Sequence, residues 1–119
     1  MIRGYRDLKV WAMSLDLACD VFTATRSFPR EERFGLSDQL RRASASVPAN
    51  IAEGHGRFGP REYLHHLSIA SGSLKELETL LLIAERTGIL CAEASARLLA
   101  RSEQIGRMLT RLRQRLRGK

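Results

Sequence analysis

Apolar residues recur every three or four positions along almost the whole chain, and nowhere do they alternate with polar ones over the length of a strand. That rhythm belongs to helices packed by one face. Four stretches carry it, with short breaks between them and no repeated unit. The first runs from about Asp7, placed as its N-cap, to Ser27. Pro29 then disfavours helix at the residue before it. The second runs from about Arg33 to His55. The third starts near Pro60, a good first-turn residue after Gly59, and ends at Thr87 and Gly88. The fourth runs from about Cys91 to Leu116.

The third stretch has a heptad seam of Tyr63, Leu67, Ala70, Leu74, Leu77, Leu81 and Ala84. In the fourth, Cys91, Leu98, Ile105, Leu109, Leu112 and Leu116 keep the same rhythm, with Ser95 and Ser102 filling it. The second offers Leu36, Leu40, Ala43, Val47 and Ile51. Short loops between such helices predict an all-α, up-down-up-down antiparallel four-helix bundle, one domain over residues 1–119.

Two features disturb this pattern. Helix 1 has two apolar stripes: Leu8, Trp11, Ala12, Leu15, Ala18, Cys19 and Phe22 on one side, and Val10, Ser14, Leu17, Val21, Ala24 and Phe28 on the other. Together they cover roughly 260° of the helix, where one buried stripe needs roughly 100°. One bundle cannot easily hide both, and a monomer avoids a large apolar patch. Self-association is expected, with Val10, Leu17, Val21 and Phe28 at the subunit interface. The second feature is Pro48, which removes an amide and crowds the Ser44 carbonyl. Either helix 2 breaks there, or it continues with a kink while Ser44 or Ser46 hydroxyls or water serve the freed carbonyl. The apolar pattern resumes at once, which favours the kink.

Composition narrows the function. No apolar run approaches the roughly 20 residues that span a bilayer, and the first residues lack a signal peptide's apolar core, so a cytoplasmic protein without a membrane partner is expected. Cys19 and Cys91 suit neither zinc nor redox chemistry and are expected as reduced residues in or near the core. No catalytic residue, metal site or cofactor is expected. Glu62 and His65 form a single Glu-x-x-His pair where a di-iron bundle needs two, and no serine sits in a nucleophile elbow. His55 lies at a flexible helix end, where a solvated role outweighs that of a base.

The charge of +7 is placed unevenly. Residues 1–96 balance 12 Lys/Arg against 12 Asp/Glu, whereas residues 97–119 hold eight basic residues and only Glu103. Arg97, Arg101, Arg107, Arg111 and Arg115 fall on one side of helix 4, in a row of about 27 Å at 1.5 Å per residue. Arg41 and Arg42 on helix 2 and Arg57 near the next turn extend the basic surface. Arginine forks bidentately onto phosphates, so nucleic acid is the expected partner. No aromatics are interleaved for base stacking, so binding should be salt-dependent and non-specific. The alternative is an acidic protein docking on the same helix.

Four pieces of the chain are similar to one known family. They are Tyr5-Arg6-Asp7-Leu8-Lys9-Val10-Trp11, Phe28 to Leu36, the run from Arg41 to Arg57 with Val47-Pro48-Ala49-Asn50-Ile51-Ala52-Glu53-Gly54 at its centre, and Gly72 to Thr79. In this order they resemble the bacterial four-helix-bundle proteins encoded in intervening sequences of 23S rRNA genes. A more distant resemblance is to the accessory proteins of diversity-generating retroelements, basic pentamers that work with a reverse transcriptase. The resemblance implies one kinked helix at Pro48 and a homopentamer, and carries over no functional residue. The expected protein is a non-catalytic basic oligomeric scaffold that contacts RNA or DNA phosphates.

Overall fold

A computed structural model describes residues 3–118. The described residues form four α-helices: α1 (Lys9–Thr25), α2 (Leu36–His55), α3 (Pro60–Arg86) and α4 (Ala92–Arg117). There is no strand among the described residues. Single turns of 3₁₀ helix at Tyr5–Asp7 and Arg30–Glu32 precede α1 and α2. The helices lie along a rod of 46 × 22 × 21 Å. Each packs on its neighbour in the chain, and α1 packs on α4 to close the bundle.

Helix ends follow local chemistry. Gly59, at φ +88°, turns the chain into Pro60, whose missing amide costs nothing in a first turn. At the other end of α3, Gly88 adopts φ +77°. The Gly88 amide then bonds the Glu85 carbonyl at 3.0 Å, and the Ile89 amide bonds that of Ala84 at 2.9 Å. This is a Schellman closure, which needs a left-handed residue at that position. Asp7 is not the N-cap of α1. It ends the first 3₁₀ turn and accepts the Arg3 amide at 2.9 Å, while Leu8 takes the cap position. Tyr5, edge-on to Trp11 at 5.0 Å, anchors this turn to the helix. α2 begins at Leu36, three residues later than the pattern suggests, because the turn after Pro29 uses the intervening residues.

The seams of α3 and α4 face one core. Leu67, Leu74, Leu77 and Leu81 meet Leu98, Ile105 and Leu109, all fully buried. Leu40, Val47 and Ile51 complete it from α2. α1 contributes Val10, Leu17 and Val21, capped by Phe28. This reverses the expectation for α1: the stripe assigned to a subunit interface lies inside the monomer. The roll of the helix is set at its edges. Asp20 pairs with Arg101 of α4, and Thr25 accepts the Arg41 Nε of α2 at 2.8 Å. At 100° per residue, the arc between Asp20 and Thr25 is the one holding Leu17, Val21 and Val10. The cysteines are also displaced from the core. Cys91 sits outside α4 at its cap position, and Cys19 lies on the outward stripe of α1; both are exposed.

α2 runs unbroken through Pro48. The serines expected to serve the freed carbonyl are engaged elsewhere. Ser44 Oγ donates to the Arg41 carbonyl at 3.0 Å, and Ser46 Oγ meets Ser73 Oγ at 2.8 Å. Asn50 Nδ2 donates both to Ser46 Oγ and to the Ser46 carbonyl, and Asn50 Oδ1 lies 3.1 Å from Nδ1 of the buried His66. A polar chain of Ser73, Ser46, Asn50 and His66 thus stitches α2 to α3. One turn further on, the two backbones come so close at Gly54 that a Cβ there would lie 2.7 Å from His66 Cβ.

Gly54→Ala should therefore destabilise the bundle by ~1–3 kcal/mol, as overpacking against a neighbouring helix does. Gly72→Ala, in mid-helix where an added Cβ meets nothing within 4 Å, should stabilise it by ~0.5–1 kcal/mol through helix propensity. Chemical denaturation of the two variants beside the wild type measures both.

Candidate functional site

The arginines of α4 leave the helix on its solvent side because the seam of Leu98, Ser102, Ile105 and Leu109 holds the opposite side in the core. They do not form one uniform row. Arg101 is half-buried and tied to Asp20 of α1. Arg97, Arg107, Arg111 and Arg115 are exposed, and none has an ion-pair partner among the described residues. The free charge is thus concentrated over the last three turns of α4, with Arg97 apart from it.

The three other expected arginines are occupied. Arg41 spans Thr25 and the ring of Phe22, its guanidinium carbon 5.5 Å from the ring centre. Arg42 pairs with Asp38 at 3.0 Å and Arg57 with Glu53 at 3.1 Å, each one turn away on the same helix. Exposed pairs of this kind add little stability, but they do cancel charge. Of the expected basic surface, Arg42 and Arg57 are thus neutralised, while Arg41 keeps its charge beside Arg26, Arg30 and Arg33 around the turn after α1.

Two grooves flank α4. The α1–α4 groove, about 590 Å³, has Lys9, Arg111 and Arg115 on its walls and Leu8, Val10, Met108 and Leu112 beneath them. The α3–α4 groove, about 500 Å³, is walled by Lys75, Arg107 and Arg111, with Ser71 and Thr110 hydroxyls between. Lys9 and Lys75 were not among the expected site residues. Nothing in their local sequence marks them, because only the helix packing brings them beside α4.

Near the same end of the bundle, Tyr63 has a buried hydroxyl with no hydrogen-bond partner among the described residues. Burial raises its pKa above the usual phenol value, and the neighbouring Arg115 charge partly offsets this. Its ring stands edge-on to His55 at 5.6 Å, so His55 is a half-buried packing residue. Glu62 and His65 are exposed, while the adjacent His66 is held by Asn50. No group of three or more His, Cys, Asp or Glu side chains able to hold a metal occurs among the described residues.

A third surface is apolar. The outward stripe of α1, with Trp11, Leu15, Cys19 and Phe22, faces Ala45, Pro48, Ala49 and Ala52 of α2 across an open groove of about 600 Å³. Leu15 and Phe22 remain about two-fifths exposed, at 39% and 40%. The unpartnered apolar surface anticipated on α1 is present, but on the opposite side of the helix from the stripe chosen for it. No described helix is long and apolar enough to cross a membrane.

The family model of the 23S rRNA-intervening sequence protein matches residues 6–111, all of α1 to α3 and most of α4. The chain belongs to this family. The match takes in Arg97, Arg101, Arg107 and Arg111 and ends before Arg115. The fold agrees with a crystal structure of a protein of unknown function from the S23 ribosomal protein family of Bacteroides thetaiotaomicron. That structure superimposes with a TM-score of 0.79 over 87% of this chain and 97% of the other, at 23% identity. Such a likeness speaks for the bundle alone. No curated protein matches the chain. The match to the 23S rRNA-intervening sequence family includes the Arg41–Arg57 run, which supplies Ser46 and Asn50 of the polar network and the Gly54 contact.

The placement of α1 has a direct test. Leu17→Asp loses what a core truncation loses, ~2–5 kcal/mol, and adds an unpaired buried carboxylate. Against a total stability of ~5–15 kcal/mol, the variant should lose its cooperative thermal transition. Leu15→Asp, on the outward stripe, should keep it. Circular dichroism melts of the two proteins distinguish these outcomes.

Proposed function

We propose that this family member is a cytoplasmic, non-catalytic basic scaffold that contacts RNA or DNA phosphates through the C-terminal half of α4. The observation that carries this reading is the sorting of the arginines. Those on α2 and near its end are neutralised by neighbours or packed on a ring, while Arg107, Arg111 and Arg115 stay exposed and unpaired within three turns. An unneutralised cluster of this kind attracts a polyanion and releases its counterions. No aromatic side chain stands among these arginines to stack a base, so the contacts would position the backbone without reading sequence.

Changing Arg107, Arg111 and Arg115 together to Gln keeps good helix formers at exposed positions, so the fold should survive. Affinity for two unrelated oligonucleotides should fall alike, and the dependence of log affinity on log salt should flatten by about 0.7–0.9 for each phosphate that is no longer neutralised. A salt titration by fluorescence anisotropy reads both. Absence of wild-type binding near physiological salt would end the nucleic-acid reading.

The scaffold is further proposed to self-associate through the α1–α2 groove, as the pentamer that the family resemblance implies. The support is the open apolar surface around Leu15 and Phe22, of a kind that monomers avoid. Leu15→Asp combined with Phe22→Asp should lower the mass measured by light scattering while the helical signal persists. An unchanged mass would place the interface elsewhere.

A further inference from the structure

We infer that the ligand of α4 is a single strand of nucleic acid that crosses the helix, passing from the α1–α4 groove over Arg111 into the α3–α4 groove. This deepens the proposed function and rests on it. An arginine row read from sequence suggests a ligand lying along α4. The structure argues for a different path. The row is interrupted where Arg101 pairs with Asp20, which separates Arg97 from the arginines beyond. The cations instead continue sideways, from the unpaired Lys9 and Arg115 on one side of α4, through Arg111, to Arg107 and the Glu78-paired Lys75 on the other. Arg111 belongs to both grooves, so the two basic walls meet on the ridge between them.

The acidic groups nearby do not close this path. Asp7 lines the α1–α4 groove and keeps its charge, but Lys9, Arg111 and Arg115 outnumber it there. Glu103 lines the α3–α4 groove on α4 itself, one and two turns before Arg107 and Arg111. Glu78, 3.4 Å from Lys75 Nζ, turns its other oxygen to Ser102 at 2.6 Å, and Lys75 remains largely exposed. Three arginines and two lysines thus face three carboxylates, Asp7, Glu103 and Glu78, which leaves the path net positive.

Shape selects a single strand. Axes of packed helices lie roughly 8–10 Å apart, so each groove is a shallow trough between neighbouring cylinders. A flexible phosphodiester chain can follow the dip on one side, climb over α4 and descend on the other. A stiff duplex is convex and would ride on the ridge, reaching Arg111 without entering both troughs. The apolar floor of the α1–α4 groove, from Leu8 to Leu112, can receive the sugar and base carbons that a single strand exposes and a duplex hides.

The experiment compares wild type with Lys9→Gln, Lys75→Gln and Arg97→Gln on a short mixed-sequence single strand, made as RNA and as DNA, and on the matching duplex. All three positions are exposed, and circular dichroism checks the fold. Lys9→Gln and Lys75→Gln should each weaken single-strand binding and lower the salt slope by about 0.7, the value for one phosphate of a single strand. Arg97→Gln should leave both unchanged. The duplex should bind more weakly than the single strand, with Lys9→Gln and Lys75→Gln making little difference to it. If wild type binds and the triple arginine variant does not, while the two lysine variants match wild type, the crossing path is wrong and the function stands. A duplex that binds as tightly as the single strand also overturns the path. If wild type binds neither, the function falls and the path with it.

Discussion

The close approach of α2 to α3 is the constraint on which the rest of the bundle depends. At Gly54 there is no room for a side chain, because His66 and Tyr63 already fill the space. The same His66 ring is held by Asn50, which also holds Ser46. Backbone proximity and polar pairing thus fix one register between two helices. Buried polar groups tolerate few arrangements, since an unmade bond costs about 1–3 kcal/mol. Once α2 and α3 are set against each other, α4 follows through Ser102 and Glu78, and α1 through Arg41 and Arg101.

This register explains why the segment from Arg41 to Arg57 stands out in the sequence while carrying no catalytic pattern. Its unusual residues serve packing. Asn50 and Ser46 face α3, Gly54 permits the close approach, and Pro48 is buried beside Val47 and Ile51. The surface proposed to meet phosphates lies elsewhere, on residues of ordinary appearance. A distinctive motif thus identifies the fold of the family and is silent on the ligand.

How far the sequence could be read depended on the range of the interaction. The seams of α3 and α4 were legible because each has one apolar stripe, and Pro60 and Gly88 bound α3 by backbone chemistry alone. The roll of α1 was not legible, since two stripes of similar strength leave the choice to Asp20 and Thr25, whose partners lie far away in sequence. The arginines divide the same way. Asp38 with Arg42 and Glu53 with Arg57 are one-turn pairs that spacing reveals, and they could have been discounted at once. Neutralisation of Arg101 by Asp20, and the arrival of Lys9 and Lys75 beside α4, require the assembled bundle.

The α1–α2 groove divides its labour between two helices. α2 gives it depth, because Ala45, Pro48, Ala49 and Ala52 are too short to fill the space, while α1 gives it chemical character through Trp11, Leu15, Cys19 and Phe22. The two properties are therefore separately adjustable. An outward residue on α1 can change while the cleft keeps its shape, but a bulkier residue on α2 would close the cleft whatever α1 presents. Whatever packs in such a groove could change its demands on one helix without disturbing the other, and the small residues of α2 are the part that must stay constant for that freedom to exist.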